Sequence, residues 1–162
     1  MPEKLTAHTR ALREEFDQRF TAPRELDRDA PVSMLGLRLG GRAFALRLDA
    51  LAGLQAMRRL VPLPQSRVPL LGLTGVRGRL VPVFSLAALM ELPLEPEANW
   101  LVLIGHADPV ALAFAELDGY FELPLTILQR AQAEGAPGAR SFLLPDAAAR
   151  QLIDTAALLE AL

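Results

Sequence analysis

Cysteine is absent from all 162 residues. That excludes a disulfide framework, a thiolate zinc site and a cysteine nucleophile, and it fits a reducing cytoplasm. Histidine is almost as scarce, with only His8 and His106. His106 lies in Gly105-His106-Ala107-Asp108, a turn sequence; a His-x-Asp pair with no third ligand cluster reads as a solvated loop rather than a metal site. Long apolar runs are also missing. The longest stretch free of Asp, Glu, Lys and Arg is Leu80–Met90, well short of the ~18–20 residues of a membrane span. Met1–Arg10 lacks the apolar centre and cleavage site of a signal peptide. These absences describe a soluble, cytoplasmic protein with no direct membrane insertion.

What is present is ordinary in bulk: 51% apolar and 22% charged residues, with 17 basic against 19 acidic side chains. This balance is that of a globular chain, neither disordered nor fibrous. The length suits one domain or two small subdomains. Thirteen prolines exceed the usual ~5% and argue against a plain helical bundle.

The first 33 residues differ from the rest. Leu5, Leu12, Phe16 and Phe20 form one stripe of a helix, with charged residues on its other faces, and Pro23 stops it. Thr21–Pro31 reads as a linker. Such a helix packs on the main body or binds a partner. From Met34 the period falls to two: Leu35, Leu37 and Leu39, a Gly40-Gly41 hairpin turn, then Phe44, Leu46 and Leu48. Leu51–Leu60 continues the run. Leu70–Arg77 and Arg79–Phe84 read as strands joined at Gly78, and Ser85 as the N-cap of a short helix, Leu86–Leu92. A second unit follows the same scheme, with strands at Trp100–Ile104, Val110–Ala115, Ala115–Leu123, Ser141–Leu144 and Gln151–Asp154. Ala133–Ala139 reads as a flexible segment, and a last helix begins at Thr155. The endings match, Ser85-Leu86-Ala87-Ala88-Leu89 against Thr155-Ala156-Ala157-Leu158-Leu159. The fold expected is mainly β, two small barrels sharing a core, at about 34–92 and 93–162.

No catalytic arrangement emerges. There is no Gly-x-Ser-x-Gly elbow, and Ser33, Ser66, Ser85 and Ser141 have no His or Asp pairing beside them. The glycines of Gly72-Leu73-Thr74-Gly75-Val76-Arg77-Gly78 lack the closing Gly-Lys-Ser/Thr of a phosphate loop and lead into a strand. Glu116 and Asp118 share a strand face about 6.6 Å apart at ~3.3 Å per residue. That overlaps the ~6.5–9.5 Å of inverting glycosidases, but the alternating pattern explains them as a solvated face.

The stretch Leu71-Gly72-Leu73-Thr74-Gly75-Val76-Arg77-Gly78-Arg79-Leu80-Val81-Pro82-Val83-Phe84-Ser85-Leu86 resembles the centre of the CheW family of chemotaxis coupling proteins. There a Gly-x-x-Asn-x-Arg-Gly segment precedes a Val-Pro-Ile/Val strand and a helix. Phe44-Ala45-Leu46, Leu60-Val61-Pro62-Leu63-Pro64 and Leu152-Ile153-Asp154 also fit, so the resemblance spans roughly Met34 to Leu162. The N-terminal helix is similar to the extension of some adaptors of this family. The resemblance implies two SH3-like five-stranded barrels and a non-catalytic adaptor with no cofactor or metal. Its partners would be a chemoreceptor signalling tip and the regulatory domain of a CheA-type histidine kinase, and receptor arrays would hold it near the membrane. A pilus or gliding motility pathway is the alternative setting. Carried over residue by residue, the partner site falls on Leu51, Leu54, Gly72, Arg77 and Gly78. Three positions depart from the family pattern: Gly75 for Asn, Ser85 for Asp, and Gly53 for a Glu that can pair with the motif arginine.

A small barrel that binds nucleic acid is the competing class, because the first unit is rich in arginine. Its only aromatics, Phe44 and Phe84, have the inward phase of core residues, so no nucleic-acid partner is expected. The charge is uneven along the chain. Residues 1–33 hold 6 basic and 7 acidic groups, residues 34–92 hold 8 and 2, and residues 93–162 hold 3 and 10. If each unit is a barrel, a basic barrel adjoins an acidic one, as in a connector with two unlike ends.

Overall fold

Strands dominate the regular structure, ten of them among the described residues, in a computed structural model that describes residues 30–136, 139–145 and 149–162. The expected helix on Leu5, Leu12, Phe16 and Phe20 and its linker as far as residue 29 lie outside the described residues; Pro31, read as the end of the linker, already opens the first strand. Pro31–Leu162 forms one compact unit. The strands are β1 (Pro31–Leu39), β2 (Arg42–Arg47), β3 (Leu51–Ala56), β4 (Leu70–Val76), β5 (Arg79–Ser85), β6 (Trp100–Ile104), β7 (Val110–Phe114), β8 (Glu116–Pro124), β9 (Ser141–Leu143) and β10 (Gln151–Ile153). Among the described residues three short α-helices accompany them, α1 (Leu86–Leu89), α2 (Leu125–Glu134) and α3 (Thr155–Glu160), with one turn of 3-10 helix at Leu48–Ala50.

The strands form two five-stranded sheets, with orders β8-β1-β2-β10-β9 and β3-β6-β7-β5-β4. The mainly β expectation therefore holds, with two sheets of five. The chain does not build them one after the other. The first sheet takes β1 and β2 from the early half and β8, β9 and β10 from the late half; the second takes β3, β4 and β5 with β6 and β7. The boundary read at residue 92 thus cuts through both sheets. The physical reason is pairing: β1 finds β8 along Pro31↔Pro124 to Arg38↔Glu116, and β2 runs parallel to β10 at Phe44↔Gln151. Alternation fixes which face a strand buries but not which strand lies beside it.

Three apolar clusters follow from that weave. Between the sheets, Leu35, Leu37, Leu39, Phe44 and Leu46 meet Val102, Ile104, Leu112 and Phe114, with Leu86, Leu89, Ile153 and Leu158 at the margins. The second sheet encloses Val76, Val81, Val83, Leu101, Leu103, Ala111 and Ala113. The first sheet covers Met34, Ala45 and Leu152 with Leu128 and Ala131 of α2 and with Leu144. Because β6 and β7 are covered on both faces, Trp100–Ile104 and Val110–Phe114 read as continuous apolar runs rather than alternations. Each large side chain so enclosed contributes roughly 1.5–3 kcal/mol.

Several local features follow the sequence closely. Gly40 and Gly41 both have positive φ (+54° and +79°) in the β1–β2 turn. Ser85 caps α1 by accepting from the Ala88 amide at 3.3 Å, and Asp154 caps α3 through the amides of Ala156 and Ala157. Others differ. β3 ends at Ala56 rather than Leu60, because the chain turns to meet β4 at Val61. Helix α2 stands where no element was expected before Ala133, burying only Leu128 and Ala131, a stripe too narrow to stand out.

Candidate partner-binding site

The second sheet ends in a hairpin, β4–β5, whose base and tip are built by different rules. At the base, the Val61 and Leu73 backbones exchange hydrogen bonds of 2.8 and 2.9 Å, linking the chain after β3 to β4, the far edge of the same sheet. Gly72 makes this closure possible. Its φ is +152°, and a Cβ there would lie 2.3 Å from the Val61 carbonyl oxygen. Thr74, almost fully buried, donates its hydroxyl to the Arg59 carbonyl at 3.0 Å and fastens the same seam.

At the tip, Arg77 and Gly78 both take positive φ, +48° and +78°, between the paired residues Val76 and Arg79. This is the geometry of a two-residue I′ turn, normally filled by Asn-Gly or Gly-Gly. Arginine in that conformation costs roughly 1–2 kcal/mol. Its side chain gains no ion pair in return: none of Arg58, Arg59, Arg67, Arg77 and Arg79 pairs with a carboxylate among the described residues. Next to the tip, Leu80 is 75% exposed and stands opposite Gly75, which has no side chain to cover it.

The five residues expected to bind partners separate into three kinds. Arg77 and Gly78 are exposed at the tip. Gly72 is buried and acts in the closure of the sheet. Leu51 and Leu54 are half-buried on β3, opposite Ile104 and Val102, and pack against the cluster between the sheets. A cleft of about 420 Å³ lies elsewhere, lined by Pro31, Val32, Ser33, Leu48 and Asp49. At its rim Arg47 donates to Asp49 at 3.0 Å, which holds the Asp49 carboxyl below its usual range.

The departures at positions 53, 75 and 85 have local explanations. A Cβ on Gly53 would touch Leu103 at 3.4 Å, so the residue faces the interior of the second sheet, and Arg77 has no carboxylate there. Gly75 opens onto free space. Ser85 supplies the cap that an Asp would also supply. Leu80 and the strained φ of Arg77 were missed by sequence reasoning; the signal for Leu80 was its exposed phase opposite Gly75.

The carboxylates on β8 are not a reactive pair. Asp118 sits between Arg38 at 3.5 Å and Arg150 at 3.2 Å, and Arg150 also stacks 4.4 Å from the centre of the Phe121 ring. Arg140 likewise reaches back to Glu91 and to the Leu89 carbonyl at 2.6 Å. Basic and acidic halves of the sequence therefore meet inside one folded unit, and the two sheets do not carry the two charges. No group of three or more His, Asp and Glu residues that could hold a metal occurs among the described residues. Phe44 is buried in the cluster between the sheets and Phe84 packs against it.

A family model described as CheW-like domain matches residues 33–162. The chain belongs to the CheW-like family. This CheW-like fold is also similar to the crystal structure of the scaffolding protein TtCheW from Thermoanaerobacter tengcongensis, with a TM-score of 0.64 and 10% identity over 77% of this chain and 85% of that one. No curated protein matches the sequence. Proteins of the CheW-like family are adaptors and scaffolds of chemotaxis, and no helix among the described residues is long and apolar enough to cross a membrane.

Proposed function

We propose that this CheW-like chain is a non-catalytic cytoplasmic adaptor that couples chemoreceptor signalling tips to a CheA-type histidine kinase. The observation that carries the reading is the β4–β5 tip, an arginine kept in an unfavourable backbone conformation with no carboxylate paired to it among the described residues. A fold does not retain such a residue for its own stability; strain of this kind points to contact with something else. Arg77 and Gly78 then form the contact, Leu51 and Leu54 shape the adjoining strand, and Gly72 holds the hairpin in place. Binding needs only apolar strand surface and complementary charge, with no reactive group and no cofactor.

Co-sedimentation with a receptor signalling fragment and a CheA-type kinase from the same organism tests this. The chain should enter the pellet with both, and Arg77→Glu should weaken its recruitment while leaving the melting temperature unchanged. Failure of the intact chain to bind either partner would overturn the adaptor reading.

A further inference from the structure

The described arginines divide by position. Arg38, Arg42, Arg47, Arg130, Arg140 and Arg150 each engage a carboxylate, a carbonyl or an aromatic ring. The other five, Arg58, Arg59, Arg67, Arg77 and Arg79, fall within residues 51–90, a stretch without one acidic residue. All five are exposed, and their side chains make no ion pair, hydrogen bond or ring contact among the described residues.

The fold gathers four of them and leaves the fifth apart. The Arg59 carbonyl accepts the Thr74 hydroxyl at 3.0 Å, which sets Arg58 and Arg59 beside the end of β4. Arg77 follows in the turn, about 10 Å along the strand from Thr74 at ~3.3 Å per residue, and Arg79 re-enters the sheet opposite Val76. Arg67 instead precedes β4, its carbonyl accepting from the Leu70 amide. The length of the strand, about 20 Å at the same rise, separates it from the tip. Neighbouring carboxylates do not answer the four. Glu95 is occupied by the amides of Gly40 and Ala115 at 3.4 and 3.0 Å. Glu97, in the loop before β6, and Asp108, just before β7, pair with none of them.

We infer that Arg58, Arg59, Arg77 and Arg79 receive a carboxylate-bearing segment of the partner protein that docks at the β4–β5 tip. The inference rests on the adaptor reading for the partner being a protein, and adds the chemistry by which that partner is recognised. Guanidinium groups hold carboxylates through paired, charge-assisted hydrogen bonds. Four of one sign at one end of the hairpin draw in an acidic surface and turn away a basic one. A nucleic acid suits the cluster less well. Phe84, the sole aromatic of residues 51–90, packs against the apolar cluster between the sheets, so no ring stands beside the arginines for a base to stack on.

The test titrates the full-length chain with a labelled oligoglutamate peptide, with the receptor signalling fragment and with the kinase regulatory domain. The peptide should bind at low ionic strength and be released as salt rises. R58E/R59E and R79E should each weaken the peptide, and at least one protein partner, roughly tenfold or more. R58K/R59K should retain most of the binding. R67E changes the net charge as much as R79E but lies beyond a Debye length from the tip, so it should alter binding by less than about twofold. Because these side chains touch nothing in the described fold, melting temperatures should stay at the parent value. An effect of R67E as large as that of R79E would overturn the inference, since net charge and not a site would then be acting. Duplex DNA binding more tightly than the peptide at physiological salt would also overturn it. The two readings fail separately. Partners bound with no response to salt or to R58E/R59E refute the acidic contact and leave the adaptor reading standing. A chain that holds the peptide at these arginines but binds neither partner overturns the adaptor reading and supports the carboxylate preference.

Discussion

The molecule makes the same turn twice. In the β1–β2 hairpin, Leu39 and Arg42 enclose Gly40-Gly41; in the β4–β5 hairpin, Val76 and Arg79 enclose Arg77-Gly78. The dihedrals nearly coincide, with φ of +54° and +79° in the first and +48° and +78° in the second. Glycine adopts both positions of the first turn without steric cost. Arginine at the first position of the second does not, and the penalty of roughly 1–2 kcal/mol returns no ion pair among the described residues. One turn is filled for the sake of the backbone and the other in spite of it. That difference is what the proposed partner contact at the β4–β5 tip rests on.

The largest effect should come from the base of that second hairpin. Gly72→Val drives a side chain into the Val61 backbone and should cost about 4 kcal/mol or more, read as a fall in the urea midpoint. Gly75→Val, three residues along the same strand and facing open space, should stay within about 0.5 kcal/mol of the parent. A tolerated Gly72→Val would show that the closure can shift and that the tip is not held by it. Next comes the network that joins the early and late halves. Asp118→Ala deprives Arg38 and Arg150 of a shared carboxylate and should destabilise by about 1.5–3 kcal/mol, measured by the same titration.

Exchanging the two turns tests the comparison directly. Arg77→Asn should stabilise by about 1 kcal/mol, because asparagine accepts this conformation, and should weaken recruitment by receptor and kinase. Gly40→Arg should lose about 1–2 kcal/mol and leave recruitment unchanged. If Arg77→Asn stabilises without affecting recruitment, the strained arginine has no role in binding. The smallest effect belongs to Arg47 and Asp49. Their contact lowers the Asp49 pKa, so whatever stability it adds is present above the ordinary aspartate range and is lost as pH falls through the lowered value. Asp49 is exposed and Arg47 partly so, and Asp49→Asn should change stability by less than about 1 kcal/mol at neutral pH.

Periodicity in the sequence located most strands to within a few residues, and turn chemistry placed the Ser85 cap, because these are short-range properties; Asp154, read as the end of a strand, is the cap of α3. Periodicity could not reveal the weave. Nothing in Pro31–Leu39 names Glu116–Pro124 as its neighbour, and the run of apolar residues in β6 and β7 says only that both faces are covered. The charge asymmetry was visible, but its meaning depended on that weave: Arg38 and Asp118 look like members of opposite camps until β1 and β8 are known to pair. At the site, family resemblance drew attention to Arg77 and Gly78 and to Gly72, while the separate jobs of tip and base required the backbone geometry. Leu80 shows the remaining gap: its phase was in the sequence, but only the pairing with Gly75 across the hairpin makes that phase an exposed one.

The weave also has a consequence in time. A ribosome delivers β1 and β2 first, yet their partners β8 and β10 follow about seventy or more residues later. Until then the first sheet exists only as an open hairpin with an apolar side exposed, while β3 to β7 can already assemble beside it. The second sheet is thus able to form during synthesis, and the first must wait for the C-terminal strands to be released. A truncation before β10 would strand the earliest-made part of the protein rather than the latest.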